Sequence, residues 1–544
     1  MILCWRKRRL LRLKNILSYC SFSPLARTGR QTPWNRLKRV ATTLGLSKRG
    51  QGGVGEGELA PLQTRSCNGQ PKWLCPAVYF VLVQMAMGNP VPAQENFVQL
   101  GGVMHLHSQF SSGGETMEEI AQRATDRGLD VVILSDADAL KVEYGLPFLR
   151  DLISFEREEN ALLTQGTLKN YLEEFKRVGR KYPDLILIEG VESTPYHYWD
   201  VDILQGRWSL KRWSTHLMAI DLGPLPAYEA LPVMGGEQGK IWHWSSILML
   251  WPLLGFVYIA VYGRYRSLRL SIAVGFVSLL CLLNNIPFKI AIMDAYQGDL
   301  GWAPYQNYIE YVNKSGGLVF WAHPQAGGGV HSDTFLGGLL EVERLDNAHE
   351  NALLHTDGYT GFSALYGNDM SAAEPREQWD QVLRQYLSGE RSHAVWGTGA
   401  YKRESGNIDD VQTVFLVEKK TREAVLEALA WGRMYVTQGG DDRLILYAFD
   451  VESGGYLGLA GEEVRGAGEC IVHVQIGKAD KTRERVKVTL IRSGKIVSEE
   501  VGLTPVNFDY TATIGESNEY FRVIAKTRTA KLVSNPIFVT GESR

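Results

Sequence analysis

The stretch VMHLHSQFSSGG, residues 103–114, places two histidines one residue apart where a short apolar run meets a Ser/Gly turn. If residues 99–106 form a β-strand, its alternating side chains put His105 and His107 on the same face. Two imidazoles at a strand end favour a metal site. A pair of partly exposed polar side chains is the alternative, because His-x-His is a short pattern with many chance occurrences.

The length and charge of the chain limit the classes of protein to consider. Its 544 residues predict several domains, and a net charge of −2 gives no reason to expect nucleic acid as a partner. Residues 1–71 are basic, rich in Gly and Ser, and lack a sustained apolar period, so we expect them to be disordered. The alternatives are a basic arm that binds anionic lipid or nucleic acid, and a segment that precedes the true start of translation. The six cysteines include no Cys-x-x-Cys pair, so the sequence predicts no structural zinc site.

Three apolar segments predict export and membrane attachment. Residues 72–93 have a basic flank, an apolar centre and Val91-Pro92-Ala93 before Gln94, which predicts a signal peptide or an N-terminal anchor. Residues 241–292 contain two further apolar runs, 244–262 and 270–288, which predict a transmembrane helical hairpin; a buried hairpin is the alternative. The loop between the runs is arginine-rich and carries no acid, and such loops stay in the cytoplasm. The soluble parts are therefore expected on the periplasmic or extracellular side.

The soluble part alternates predicted strands and helices, which indicates an α/β fold. Residues 117–128, 167–184 and 305–317 have helical spacing, and apolar strands are predicted at 129–136, 185–192 and 318–324. This pattern is typical of a barrel in two parts, 95–240 and 293–440, whose site lies at the carboxyl ends of the strands. The polar residues predicted at those ends are His105, His107, Asp136, Glu192, His216 and His323. Imidazoles with one carboxylate able to bridge suit Zn, Mn or Fe, as one or two ions.

Four of these motifs, HLHSQFSSGG, ILSDAD, EGVE and AHP, occur in an order that resembles the PHP (polymerase and histidinol phosphatase) domain. The similarity is greatest to the branch of CehA/McbA-type metallohydrolases. The resemblance implies a distorted (β/α)7 barrel that carries two or three metals, and many members of the family hydrolyse phosphoesters. In this chain one or two ions are expected, and a metal-bound hydroxide would attack the phosphorus. The resemblance implies His105, His107 and Glu192 as catalytic residues, and His105, His107, Glu192, His216 and His323 as metal ligands. His197 competes with His216 for one ligand position, and Asp136 is a weaker candidate.

The chain departs from the PHP pattern in two motifs. Ala137 stands where the second motif has a ligand histidine, and Gly399 and Tyr401 stand where the last motif has aspartate and histidine. None of the three replacements is expected to bind a divalent metal well. Two functions therefore remain open: a membrane-tethered hydrolase, and an inactive pseudoenzyme that serves as a ligand-binding or interaction module.

The C-terminal residues 441–544 change character. They alternate apolar and polar side chains between Gly, Ser and Asn turns, which predicts an Ig-like β-sandwich. Because the predicted hairpin would hold the barrel near a bilayer, the expected partners are the membrane and a phosphorylated small-molecule or lipid-linked substrate.

Overall fold

The structure is a computed structural model, and the residues it describes begin at Phe97. The described ranges are 97–139, 141–145, 152, 154–158, 161–163, 166–202, 207–234, 240–241, 244–286, 290–291, 293–335, 340–402, 406–466 and 468–541. The expected disordered segment 1–71 and the predicted signal peptide or anchor at 72–93 lie outside them.

Helices and strands alternate along residues 97–440, as expected, and the predicted α/β class is confirmed. The α-helices of the described residues are α1 Met117–Asp126, α2 Leu168–Lys181, α3 Leu225–Glu229, α4 Leu253–Tyr262, α5 Leu268–Asn284, α6 Ala303–Ser315, α7 Ala352–His355, α8 Gln378–Leu387 and α9 Arg422–Trp431. The strands as far as residue 440 are β1 Val98–Leu106, β2 Val131–Leu134, β3 Asp136–Ala137, β4 Lys141–Gly145, β5 Ser154–Glu158, β6 Ile186–Ile188, β7 Gly190–Ser193, β8 Tyr198–Asp202, β9 Arg207–Lys211, β10 Leu217–Ile220, β11 Lys240–Ile241, β12 Ile290–Ala291, β13 Leu318–Trp321, β14 Gly329–Phe335, β15 Leu340–Asp346, β16 Gly361–Tyr366, β17 Trp396–Ala400, β18 Val411–Val417 and β19 Met434–Gln438.

Helix α1 shows how local sequence sets these elements. Thr116 caps it: its side chain accepts from the Glu119 backbone N–H, and Glu119 bonds back to the Thr116 N–H, which satisfies two donors at the helix start. Ile120 and Ala124 bury the inner face. Gly128 follows the helix at φ +69°, a conformation that favours glycine.

The strands of the first 440 residues lie mainly in two sheets rather than in one continuous parallel ring. One sheet contains β19-β18-β1-β2-β6, and the other has the order β17-β16-β13-β10-β7-β3. Strands β1 and β18 are antiparallel, as are β7 and β10, and β10 and β13. The pairings among the described residues therefore do not close a (β/α)7 barrel, and the barrel stays a prediction.

Within the predicted transmembrane segment 241–292, the described residues 244–286 form a helical hairpin that is divided into short helices. A 3₁₀ helix, Trp244–Leu250, precedes Pro252 and α4, and a 3₁₀ turn, Gly263–Tyr265, leads into α5. None of the helices in the described ranges combines the length and the apolar character needed to cross a membrane. The transmembrane prediction is therefore not supported, because ten-residue α4 and seventeen-residue α5 are shorter than the apolar runs that suggested it.

The C-terminal part is rich in β-strands, as predicted. Its strands are β20 Leu444–Ser453, β21 Tyr456–Leu459, β22 Glu463–Arg465, β23 Gly468–Lys478, β24 Arg485–Arg492, β25 Lys495–Leu503, β26 Val506–Ile514, β27 Glu519–Lys526, β28 Lys531–Ser534 and β29 Ile537–Thr540. One sheet has the order β21-β20-β23-β26, which fits one layer of an Ig-like sandwich.

The other C-terminal strands extend a sheet that begins before residue 440. Strand β28 pairs with β19, with Val533 opposite Val436, so the large sheet crosses the predicted boundary at 440/441. The apolar core of the C-terminal part accordingly includes Leu416 and Tyr435. This continuity ties the sandwich to the part of the chain that carries the candidate site.

Candidate metal centre

The Glu192 carboxylate is surrounded by four imidazoles. One oxygen, Oε1, lies 2.8 Å from His105 Nε2, 2.8 Å from His216 Nδ1 and 3.6 Å from His323 Nε2. The other, Oε2, lies 3.2 Å from His107 Nε2. The four histidines predicted as metal ligands therefore converge on the fifth predicted ligand, the buried Glu192.

Neighbouring strands of one sheet bring three of these residues together. Glu192 lies on β7, opposite Met218 of β10, and His216 directly precedes β10. Strand β13 pairs with the other edge of β10 and delivers His323 two residues after its end. Because β10 runs antiparallel to β7 and β13, His216 reaches the cluster from the amino end of a strand, and not from a carboxyl end as the sequence predicted.

His105 and His323 both adopt positive φ, at +66° and +29°. Non-glycine residues seldom occupy this region, and such strain is concentrated at functional sites. At His105 the pairing register of β1 with β2 shifts, so regular alternation does not explain why His105 and His107 meet. Their ring centroids are nevertheless 5.2 Å apart, because the bulge turns His105 towards Glu192.

The charge of Glu192 governs the titration of the cluster. Burial opposes ionisation, but nearby His216 and His105 hold the pKa of Glu192 well below its usual value, so it stays a carboxylate. Burial lowers the pKa of His105 to about 4. Burial also disfavours charged His107 and His216, yet their contacts with Glu192 raise the pKa of each above its ordinary value.

Asp136 supports the cluster through hydrogen bonds to neighbouring serines rather than as one of its members. Its carboxylate accepts hydrogen bonds from the Ser108 backbone N–H at 2.8 Å and from the Ser111 hydroxyl at 2.6 Å. Ser111 Oγ in turn lies 3.2 Å from His107 Nδ1. The chain Asp136–Ser111–His107 therefore orients the imidazole, as outer hydrogen bonds to metal-binding histidines commonly do.

A second buried carboxyl group lies beside Glu192. Burial raises the pKa of Asp138 to about 7. Its Oδ2 accepts from the Ser193 hydroxyl, which lies 2.7 Å from the hydroxyl of Tyr308. Asp138 is therefore mainly neutral below about pH 7 and mainly ionised above it, whereas Glu192 stays a carboxylate at both.

The donor set fits a divalent transition metal. Ligand atoms of His105, Glu192 and His323 all lie within 4.8 Å of one another. His105 Nδ1 and His323 Nδ1 are buried without a hydrogen-bond partner, while each Nε2 faces the carboxylate. His107 and His216 lie at different oxygens of Glu192, so this carboxylate and its four imidazoles would hold one or two divalent cations.

His197, the competing ligand candidate, lies elsewhere. Its ring packs against Trp213 at 5.2 Å between centroids and is buried. Burial alone lowers the pKa of His197 to about 4. The structure therefore places His216, and not His197, against Glu192.

The three replaced positions of the motifs are occupied by ordinary packing. A Cβ added to Gly399 would lie 2.8 Å from Val411 Cγ1 and 3.0 Å from Val436 Cγ1, so an aspartate does not fit there without rearrangement. Ala137 is buried on β3, opposite Glu192. Tyr401 donates its backbone N–H to Met104 O and packs against the core. The three residues that replace ligands of the PHP pattern are thus packed against their neighbours in the structure.

Three residues near the centre were missed by sequence reasoning. The Tyr366 ring lies 4.8 Å from that of His323, and Lys402 Nζ lies 5.3 Å from the Tyr366 ring centroid. His349 is buried with no hydrogen-bond partner at either ring nitrogen, and burial together with His323 and His216 lowers its pKa to about 3. Tyr366 ends β16 and was open to the strand-end argument. His349 and Lys402 follow strands in loops and gave no comparable signal.

No protein-family model matches this chain, and no curated protein matches it. Among solved structures, it is similar to a two-domain protein from Bacteroides vulgatus described as containing a predicted PHP-like metal-dependent phosphoesterase. The sequence identity is 14%, 79% of this chain and 92% of that one are covered, and the TM-score is 0.31. Fibronectin(III)-like modules of Clostridium thermocellum CbhA match at 18% identity over 18% of this chain and 99% of theirs, with a TM-score of 0.13. Both TM-scores are too low to support an assignment, so the PHP family stays a resemblance.

Proposed function

We propose that this chain is a metal-dependent hydrolase that acts on phosphoesters, with Glu192, His105, His107, His216 and His323 as its metal-binding residues. The observation that supports the proposal most strongly is the convergence of four imidazoles on one buried carboxylate. Burying a carboxylate costs free energy, so packing of a hydrophobic core alone gives no reason to place Glu192 and four imidazoles together. One or two ions of Zn, Mn or Fe suit this donor set, and a divalent cation held there would act as a Lewis acid on a phosphoryl oxygen.

The protein's own residues position the substrate and the imidazoles. The side chains of His107 and His216 are the most open of the four imidazoles, at 20% and 17% exposure, so the substrate is expected to approach from their side. His107 is hydrogen-bonded to Ser111, which is bonded to Asp136, and this chain holds His107 in one orientation. An imidazole held in this way keeps its Nε2 directed at Glu192 and at a cation that the cluster would hold.

The position of Lys402 supports the proposal that the substrate is phosphorylated. Its ammonium group lies over the Tyr366 ring beside His323, is partly exposed, and is available to attract the negative charge of a phosphate. We expect Lys402→Met to raise KM for a phosphomonoester by about tenfold at low salt while the bound metal is unchanged. Steady-state kinetics with metal analysis check this result. Lys419→Met, at an exposed lysine, is the control, and an equal effect of the two variants would contradict the assignment.

Location and partners are proposals of the same kind. The soluble parts are proposed to lie on the periplasmic or extracellular side of a membrane, and the substrate is proposed to be a phosphorylated small molecule or a lipid-linked phosphoester. The apolar hairpin around α4 and α5 supports a membrane partner. The net charge of −2 supports the expectation that nucleic acid is not a partner.

The second candidate is a pseudoenzyme that binds a ligand without turnover. The packing of Val411 and Val436 against Gly399 favours it, because this packing removes one position from which the PHP pattern supplies a ligand. The two candidates share the Glu192 cluster but differ in what the cluster does.

Metal analysis and a phosphoester assay on the purified full chain separate these candidates. We expect bound Zn, Mn or Fe, turnover of an aryl phosphate mono- or diester, and loss of that turnover in chelator and in His107→Ala. His393→Ala is the matched control, since His393 is exposed and bonded to Ser392. Turnover that survives both chelator and His107→Ala would overturn the proposal that hydrolysis depends on a metal held by this cluster. Little bound metal and no turnover of any phosphoester in any divalent ion would favour the pseudoenzyme, and absent turnover with metal bound would equally contradict the hydrolase.

A further inference from the structure

The polarity of the hairpin segment, residues 244–286, is inverted relative to a water-soluble protein. Its buried side chains include Ser246, Ser278, Cys281 and Asn284. Twenty of its large apolar side chains are exposed: Trp244, Ile247, Leu248, Leu250, Trp251, Leu253, Leu254, Phe256, Val257, Val261, Tyr262, Tyr265, Leu268, Leu270, Ile272, Phe276, Val277, Leu279, Leu283 and Ile286. Soluble proteins seldom expose a continuous apolar surface of this extent unless it binds something.

The contact between α4 and α5 has the character of helix packing in an apolar medium. A Cβ on Gly255 would lie 1.9 Å from Ser278 Oγ and 3.1 Å from Ser278 Cβ, so glycine at position 255 favours the close approach of the two helices. Gly275 similarly faces the Ile259 side chain. The Asn285 side chain donates to the Met249 carbonyl at 2.5 Å. Small residues and internal hydrogen bonds hold helices together where the surroundings are as apolar as the side chains.

The turn of the hairpin adds a charge preference. Arg264, Arg266 and Arg269 are all exposed there, and residues 244–286 contain no acidic residue to neutralise them. Tyr262 and Tyr265 are exposed beside these arginines. Aromatic rings and basic side chains next to an apolar surface are typical of contacts with lipid headgroups, and anionic lipids attract such clusters.

We propose that the hairpin segment binds an anionic lipid bilayer, with its apolar side chains in contact with hydrocarbon and its three arginines in contact with lipid phosphates. A groove on another protein would match part of the apolar surface. However, α4 has no buried residue, so its apolar side chains are exposed on every side of the helix. Lipid that surrounds the helix matches this distribution better than a protein groove that contacts one side of it. The proposal does not depend on the hydrolase function, since it concerns residues outside the Glu192 cluster.

Vesicle binding of the full chain tests the proposal. The probes are vesicles of phosphatidylcholine alone and of phosphatidylcholine with phosphatidylglycerol, and the readout is the partition coefficient from flotation. The triple variant Leu254→Ser, Val257→Ser, Phe276→Ser is expected to reduce partitioning by at least about tenfold on both vesicles. Its matched control is Tyr456→Ser, Val501→Ser, Leu503→Ser, which changes three similarly exposed apolar side chains of the C-terminal strands and is expected to change partitioning less than about twofold.

A charge variant separates headgroup binding from hydrocarbon contact. Arg264→Gln, Arg266→Gln, Arg269→Gln is expected to weaken binding to the anionic vesicles by about tenfold at low salt and to leave binding to neutral vesicles unchanged. Residues 1–96 are present in every variant, so ratios between variants isolate the hairpin. Partitioning equal to wild type in both folded hairpin variants would overturn the proposal, as would a hairpin-dependent oligomer that binds no vesicles. Turnover is measured separately, so failure of the proposed hydrolase activity would be distinguishable.

Discussion

Replacing Glu192 with glutamine is expected to remove bound metal and turnover together. Glutamine preserves the shape of the side chain, but its amide nitrogen cannot accept from an imidazole or bind a cation. We expect metal affinity to fall by at least about a hundredfold, because substitution of groups that merely orient ligands already costs 10–100-fold. Metal content after dialysis against a graded metal buffer and kcat on an aryl phosphate provide the two measurements.

The same substitution makes a prediction that needs no metal. The carboxylate of Glu192 raises the pKa of His107 and His216 against the effect of burial. Glu192→Gln removes this negative charge, so both imidazoles should lose their protons at lower pH than in the wild-type protein. Titration of the metal-free chain by histidine NMR detects the shift. Glu189→Gln is the control, because Glu189 pairs with Arg422 outside the cluster, and unchanged titration in Glu192→Gln would contradict the assigned geometry.

The largest expected effect on stability comes from Asp380→Ala. Asp380 Oδ1 lies 2.7 Å from Arg522 Nε and 2.7 Å from the Tyr520 hydroxyl, and both members of the Asp380–Arg522 pair are fully buried. This contact joins α8 to β27, across the predicted boundary at residue 440. Removing the carboxylate leaves the guanidinium buried without its counter-charge, which costs about 3–5 kcal/mol of unfolding free energy. The shift of the urea unfolding midpoint measures this loss.

Two further variants test the physical reason for this loss. Asp380→Ala combined with Arg522→Met removes both charges, and we expect it to be more stable than Asp380→Ala alone, since an apolar pair of similar volume replaces a buried ion pair with little loss. Glu499→Ala breaks a surface pair, in which Lys487 Nζ lies 2.7 Å from Glu499, and should cost less than about 1 kcal/mol. If Asp380→Ala and Glu499→Ala were equally stable, the buried pair would not contribute as argued.

Local sequence was sufficient to predict most of the elements that lead into the site. Periodicity and caps placed α1, α2 and α6 to within a few residues, because helix ends are set by nearby groups such as Thr116 and Gly316. Apolar runs likewise indicated β2, β13 and the β-rich C-terminal part. The length of an apolar run, by contrast, did not predict the length of a helix, since the run at 244–262 contains Pro252 and a 3₁₀ segment.

The sequence by itself determined which residue types were available for metal chemistry: His105, His107, Glu192, His216 and His323 were all predicted from strand ends and motif order. Only the tertiary structure showed that the four histidines meet at the Glu192 carboxylate and that His197 lies away from it. It also showed that Tyr366 and Lys402 lie beside the cluster. It also decided that valines fill the space next to Gly399 and that β28 joins the sandwich to the sheet of β19. The physical reason is that strand periodicity and caps depend on neighbours along the chain. Contacts such as those of Glu192 depend on sheet register and on bulges, which are fixed by pairing between segments far apart in sequence.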